Sequence, residues 1–109
     1  MDAAADSATD RASASLVAAA KGAFIDRFDG VIAIMPTKSA PFHVDGRGDH
    51  AIVASGAPDD ADCIWRAEDD VLMRIFEGGR AFESAYLSGR LKISGDMAVM
   101  ARLQMTARR

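Results

Sequence analysis

The chain of 109 residues is long enough for one domain around a single core and too short for two. Half of it is apolar but only 6% is aromatic, and much of the apolar half is alanine, so large core formers are few. A net charge of −3, with cations scattered from Arg11 to Arg109, argues against nucleic acid, which calls for a clustered basic surface.

Cys63 is the single cysteine, so no intramolecular disulfide forms; this fits a reducing compartment. A small buried hydrophobe is the expected role for it. No apolar run is long enough to span a bilayer, and the acidic start Met1-Asp2-Ala3 lacks the basic, apolar pattern of a secretory signal. The sequence therefore reads as cytoplasmic.

Apart from Met1 and Arg11, residues 1–13 are Ala, Ser, Asp and Thr with little to bury, and are expected to be a disordered tail before a domain over 14–109. From Ala14 to Phe28 the spacing of Val17, Ala20, Phe24 and Phe28 predicts a helix, with Gly30 as its C-cap. Val31–Met35 is a β-branched run stopped by Pro36. Phe42–Asp45 alternates like a half-exposed strand. Gly46-Arg47-Gly48-Asp49 reads as a turn into a strand over His50–Ala54, and Cys63–Arg66 as a fourth strand.

Helices come next. Glu68-Asp69-Asp70 suits a helix start, Leu72, Ile75 and Phe76 form a buried face, and Gly78-Gly79 ends it. Phe82, Ala85 and Tyr86 make a shorter stripe ended by Gly89. Leu91 and Ile93 alternate with Lys92 and Ser94 as a fifth strand. Asp96 is a suitable N-cap for a last helix carrying Met97, Met100, Leu103 and Ala107 on one side. This order predicts an α+β domain: a five-stranded, mixed but mostly antiparallel sheet covered by helices, with the last strand a candidate for parallel pairing.

The stretches Asp60-Ala61-Asp62-Cys63-Ile64-Trp65 and Ala85-Tyr86-Leu87-Ser88-Gly89-Arg90-Leu91-Lys92-Ile93-Ser94-Gly95-Asp96-Met97, with Arg102-Leu103-Gln104, resemble the sterol carrier protein type-2, or nonspecific lipid-transfer, family. The similarity covers roughly residues 30–107 and points to a bacterial-type stand-alone member. It implies an apolar tunnel between sheet and helices. Fatty acids, fatty acyl thioesters, sterol-like or isoprenoid molecules would be carried there without a cofactor and without catalysis. Flexible, polarizable Met side chains suit such walls. The lipid-binding set expected on this basis is Ile75, Phe76, Phe82, Tyr86, Met97, Met100, Leu103 and Gln104.

The partner implied is thus a lipid or other apolar small molecule, with transient contact to a membrane or an enzyme compatible with it. Trp65 stands where the family uses smaller β-formers, and pointing inward it would fill part of the cavity. That motivates an alternative: the same fold with a filled interior, serving dimerisation or a partner enzyme. His43 and His50 are candidate cross-strand neighbours but too few for a metal site. Asp59, Asp60 and Asp62 read as solvated loop charge, and no residue set suggests acid–base or covalent catalysis.

Overall fold

The computed structural model describes residues 3–103. Helix α1 (Ala3–Ala23) is followed by β1 (Val31–Pro36), β2 (Phe42–Asp45), β3 (Ile52–Ser55) and β4 (Cys63–Ala67). Then come α2 (Asp69–Glu77), α3 (Ala81–Leu87), β5 (Lys92–Gly95) and α4 (Met97–Arg102). The five strands form one open sheet in the order β3-β2-β1-β4-β5. The single parallel pair is β1 with β4; the other three are antiparallel. The last strand, β5, the candidate for parallel pairing, is antiparallel to β4. The return crossover falls earlier, between β3 and β4, which places β4 on the far side of β1.

Helix α1 differs from expectation at both ends. It runs as helix from Ala3 through the stretch expected to be a tail, and Ser13 Oγ accepts the Ala40 amide at 3.2 Å. Alanine is the best helix former, so an alanine-rich stretch with little to bury can still be helical. The buried stripe is Leu16, Ala20 and Ala23, with Phe24 after it, and Val17 is only half-buried. The last turn closes with Phe24 N–H donating to Ala20 O at 2.8 Å.

Phe28 lies beyond the helix. It is buried against Gly46, where a Cβ would stand 2.5 Å from its ring. Residues 24–29 instead run beside the turn after β2. The amides of Phe28 and Asp29 donate to Gly46 O, the Ala51 amide donates to Ile25 O, and Asp26 bridges His50. Gly30 is therefore no C-cap. It is needed because α4 packs so closely that a Cβ there would meet Val99 Cγ2 at 2.8 Å.

One face of the sheet carries Ile32, Ile34, Phe42, Val44, Cys63 and Trp65, all essentially buried under the helices. The space between is filled largely by aromatic rings. Ring centroids run Phe42–Phe76 at 6.2 Å, Phe76–Phe24 at 5.7 Å, Phe24–Trp65 at 5.7 Å and Trp65–Phe82 at 5.2 Å. Each tilted or edge-on pair contributes about 0.5–1.5 kcal/mol beyond its burial. The β1–β2 loop is held down by Asp69 at the start of α2, whose carboxylate accepts the amides of Lys38 and Ser39 and the Ser39 hydroxyl. No helix among the described residues is long and apolar enough to cross a membrane.

Candidate functional site

At the β5 edge of the sheet, α3, β5 and α4 leave an apolar groove of about 370 Å³. Phe82 and Tyr86 of α3, Ile93 of β5, Met97 and Met100 of α4, and Leu103 line it. None of these six is charged. Tyr86 and Met97 are each about half exposed, so the groove opens to solvent at their end.

The walls are fixed from behind. Helix α3 ends with Ala85 buried and its carbonyl accepting the amides of Arg90 and Leu91 at 2.9 and 3.0 Å. Gly89 supplies the left-handed backbone, φ +82°, that this reversal requires. Buried Leu91 then locks the turn beneath Ala85 and feeds β5, where register puts Ile93 opposite Trp65 on the inner face. Tyr86 stacks on Phe82, with centroids 6.5 Å apart and planes 12° from parallel.

The β5–α4 junction is tied to the start of β4. Asp62 O accepts the Asp96 amide at 2.8 Å, and the Cys63 thiol donates to Asp96 O at 2.8 Å. Asp96 caps α4 by accepting the Ala98 amide at 2.9 Å. Burial pushes the Cys63 thiol pKa up, and the nearby carboxylates of Asp96 and Asp62 push the same way. At the far end, the Arg102 guanidinium donates to the carbonyls of Phe28 and Asp29, both at 3.0 Å. Val99 presses on Gly30. One side of α4 is thus committed to the domain, and Met97 and Met100 are turned to the groove.

Of the expected lipid-binding set, the structure brings Phe82, Tyr86, Met97, Met100 and Leu103 together. Ile75 and Phe76 are not among them: both are buried in the closed core, with Phe76 packed on Phe24 and Phe42. Gln104 lies outside the described residues, as does Ala107 of the expected helix face, and α4 itself stops at Arg102. Two further residues belong to the site: Ile93, outside the expected set, and Trp65, expected to fill part of the cavity if it points inward. Ile93 was legible from its alternation with Lys92 and Ser94. Trp65, fully buried, underlies the groove: its ring packs on Phe82, and its indole Nε1–H donates to Met100 Sδ at 3.3 Å. Among the described residues the apolar space is a groove beside the core.

The polar candidates are dispersed. His43 faces Ala54 across β2–β3, and its Nδ1 lies 2.7 Å from Gly56 O, whereas His50 pairs with Asp26. Asp62 is engaged by the Val31 amide at 2.8 Å. Among the described residues no group of three or more His, Cys, Asp or Glu side chains is placed to hold a metal ion.

The SCP-2 sterol transfer family model matches residues 10–108. The chain belongs to this family. Three solved structures of sterol-carrier type share its fold. Sterol Carrier Protein 2 from Yarrowia lipolytica, in its apo form, is 23% identical with a TM-score of 0.57, covering 71% of this chain and 70% of that one. Sterol Carrier Protein 2 Like 2 from Aedes aegypti is 17% identical with a TM-score of 0.51, covering 90% and 91%. The ubiquinone synthesis protein UbiJ-SCP2 is 19% identical with a TM-score of 0.55, covering 80% and 70%. No curated protein matches the sequence at a significant level. The fold class expected from the sequence, an open mixed sheet under helices, is that of the SCP-2 family.

Proposed function

We propose that this SCP-2 family protein is a non-catalytic carrier that holds the apolar part of a lipid in the groove between α3, β5 and α4. The observation that carries this reading is a solvent-open groove of about 370 Å³ whose six lining side chains bear no charge. That volume is near the lower end of the roughly 300–1,000 Å³ usual for ligand pockets, because Trp65 occupies the space behind it. A single acyl or isoprenoid tail suits it better than a paired-tail phospholipid. Each buried methylene contributes about 0.8 kcal/mol, so a modest tail reaches micromolar affinity after association costs. UbiJ-SCP2 is a ubiquinone synthesis protein by name, and an isoprenoid chain is one ligand class to include. Leu87, the last residue of α3 and 75% exposed, is a natural first contact for a donor membrane or enzyme.

The test is displacement of a fluorescent fatty acid, with solvent extraction of the purified protein to identify what it carries. Met97 is half exposed, so Met97→Glu leaves the fold intact while placing a charge in the apolar wall. Affinity should fall by about tenfold or more. Absence of both probe binding and extractable lipid in the unaltered protein would overturn the carrier reading. The buried Trp65 also favours a second reading, a partner-binding module with a filled interior. That reading requires a stable dimer or complex in sedimentation and no ligand.

A further inference from the structure

The groove is apolar along its walls, but a hydrogen-bond donor lies directly behind one of them. Trp65 is completely buried, and among the described residues its indole Nε1–H meets only the Met100 thioether, 3.3 Å away. A thioether is a weak acceptor, so this donor is only partly satisfied in a setting where an unsatisfied donor is costly. Met100 is itself a groove-lining residue. Its unbranched side chain has three rotatable bonds and is the most adaptable piece of the wall. Rotating Met100 aside would expose the indole N–H to whatever occupies the groove.

We infer that Trp65 is the polar anchor of this site. Met100 acts as a removable cover, and the ligand is an apolar molecule whose leading end carries an uncharged oxygen acceptor, such as a ketone, quinone or ester carbonyl. The inference rests on the carrier reading above. It also sets an orientation: the oxygen enters first and lies against Trp65, with the remaining chain running out past Met97 and Tyr86. An ionised carboxylate or phosphate does not fit at the inner end, because no lining residue among the described residues is a cation and an unpaired buried charge is strongly disfavoured. Charged lipids bind with the head group outside, or more weakly.

The experiment compares three probes of equal chain length: methyl nonyl ketone, n-undecane and undecanoate. Each competes with a fluorescent fatty acid on the wild type, Met100→Leu and Trp65→Phe. Comparing the ketone-to-alkane affinity ratio across the three proteins cancels the difference in water solubility. In Trp65→Phe the ratio should drop by about fivefold, the value of one net hydrogen bond. In Met100→Leu it should rise, since the indole then has no acceptor except the ligand. Trp65 is the only tryptophan, so the wild type shows a single indole N–H resonance by NMR. This readout does not depend on Trp65→Phe folding well. The ketone should shift that resonance downfield, and the alkane should not. A ratio equal in all three proteins, or an indole resonance moved equally by ketone and alkane, overturns the anchor while leaving lipid carriage standing. Failure of every probe to bind the wild type overturns the carrier reading and the anchor with it.

Discussion

The carboxylate of Asp62 accepts the backbone amide of Val31 at 2.8 Å, across 31 residues of sequence. The two main chains meet as well, with the Asp62 amide donating to Val31 O at 2.9 Å and Asp62 O accepting the Asp96 amide at 2.8 Å. One residue at the mouth of β4 thus fastens the start of β1 on one side and the start of α4 on the other. Asp62→Ala leaves a largely buried amide without its acceptor and should cost about 1–3 kcal/mol in denaturant unfolding. Asp62→Asn keeps an acceptor oxygen and should cost clearly less. Equal losses for the two variants would show that the hydrogen bond is not what Asp62 contributes.

Gly95 should tolerate no side chain. Its φ of +106° is unfavourable for any L residue, and a Cβ would lie 2.3 Å from Asp62 O. Backbone has to move, not a flexible side-chain tip. Gly95→Ala is expected to cost about 3 kcal/mol or more, visible as a large fall in melting temperature. Gly89 has a similar φ of +82° but open space around it, so Gly89→Ala should cost less.

The Cys63 thiol should resist modification while the chain is folded. It is fully buried, its pKa is raised by burial, and its proton is donated to Asp96 O. Thiolate is the reactive form, so iodoacetamide at mildly alkaline pH should label it slowly in buffer and rapidly in denaturant. Fast labelling of the native protein would mean that the β4–α4 junction opens readily.

Asp45 should titrate far below an ordinary carboxylate. It accepts hydrogen bonds from the Arg47 guanidinium and amide, which lower its pKa from 3.8 to about 2. The folded value is depressed, so the contribution to stability is complete above pH 3.8 and is lost as pH falls towards 2. Arg47→Gln removes the guanidinium but keeps the amide. NMR of the Asp45 carboxyl should show its midpoint moving up towards 3.8. The stability difference between variant and wild type should close over the same window.

Much of the strand order was legible because β-branched runs, alternation and glycine stops are local signals. Val31–Pro36 and Cys63–Ala67 lie close to where their residues place them. Helix α1 was misread because its buried residues are mostly alanine, which gives no contrast between a core face and an unstructured tail. Of the buried stripe, Ala20 and Phe24 are legible from spacing, whereas Leu16 and Ala23 are masked by the larger Val17 and Phe28. The direction of β5 was not legible because it depends on which neighbour the strand joins, a long-range choice. For the site, helical spacing picked out the buried face of α2, Leu72, Ile75 and Phe76, but on α3 only Ala85 of the expected stripe is buried, and spacing did not separate the closed core from an open wall. Ile75 and Phe76 have the same periodicity signal as Phe82. What separates them is the Phe24 and Phe42 packing that closes the space around Phe76. Trp65 had a legible size, but its role as the back wall depends on the Trp65–Ile93 register and on α4 lying across it.

Strand β5 has one neighbour, β4, and only four residues, yet it provides a wall of the groove. At the opposite edge, β3 is packed against α1, so the two edges of the sheet are unequally restrained. Short edge segments with few buried contacts occupy the low end of the range of local opening free energies. The groove therefore sits on the less restrained edge of the sheet. Amide hydrogen exchange should be fastest along Lys92–Gly95 in the empty protein and should slow there selectively once the groove is filled.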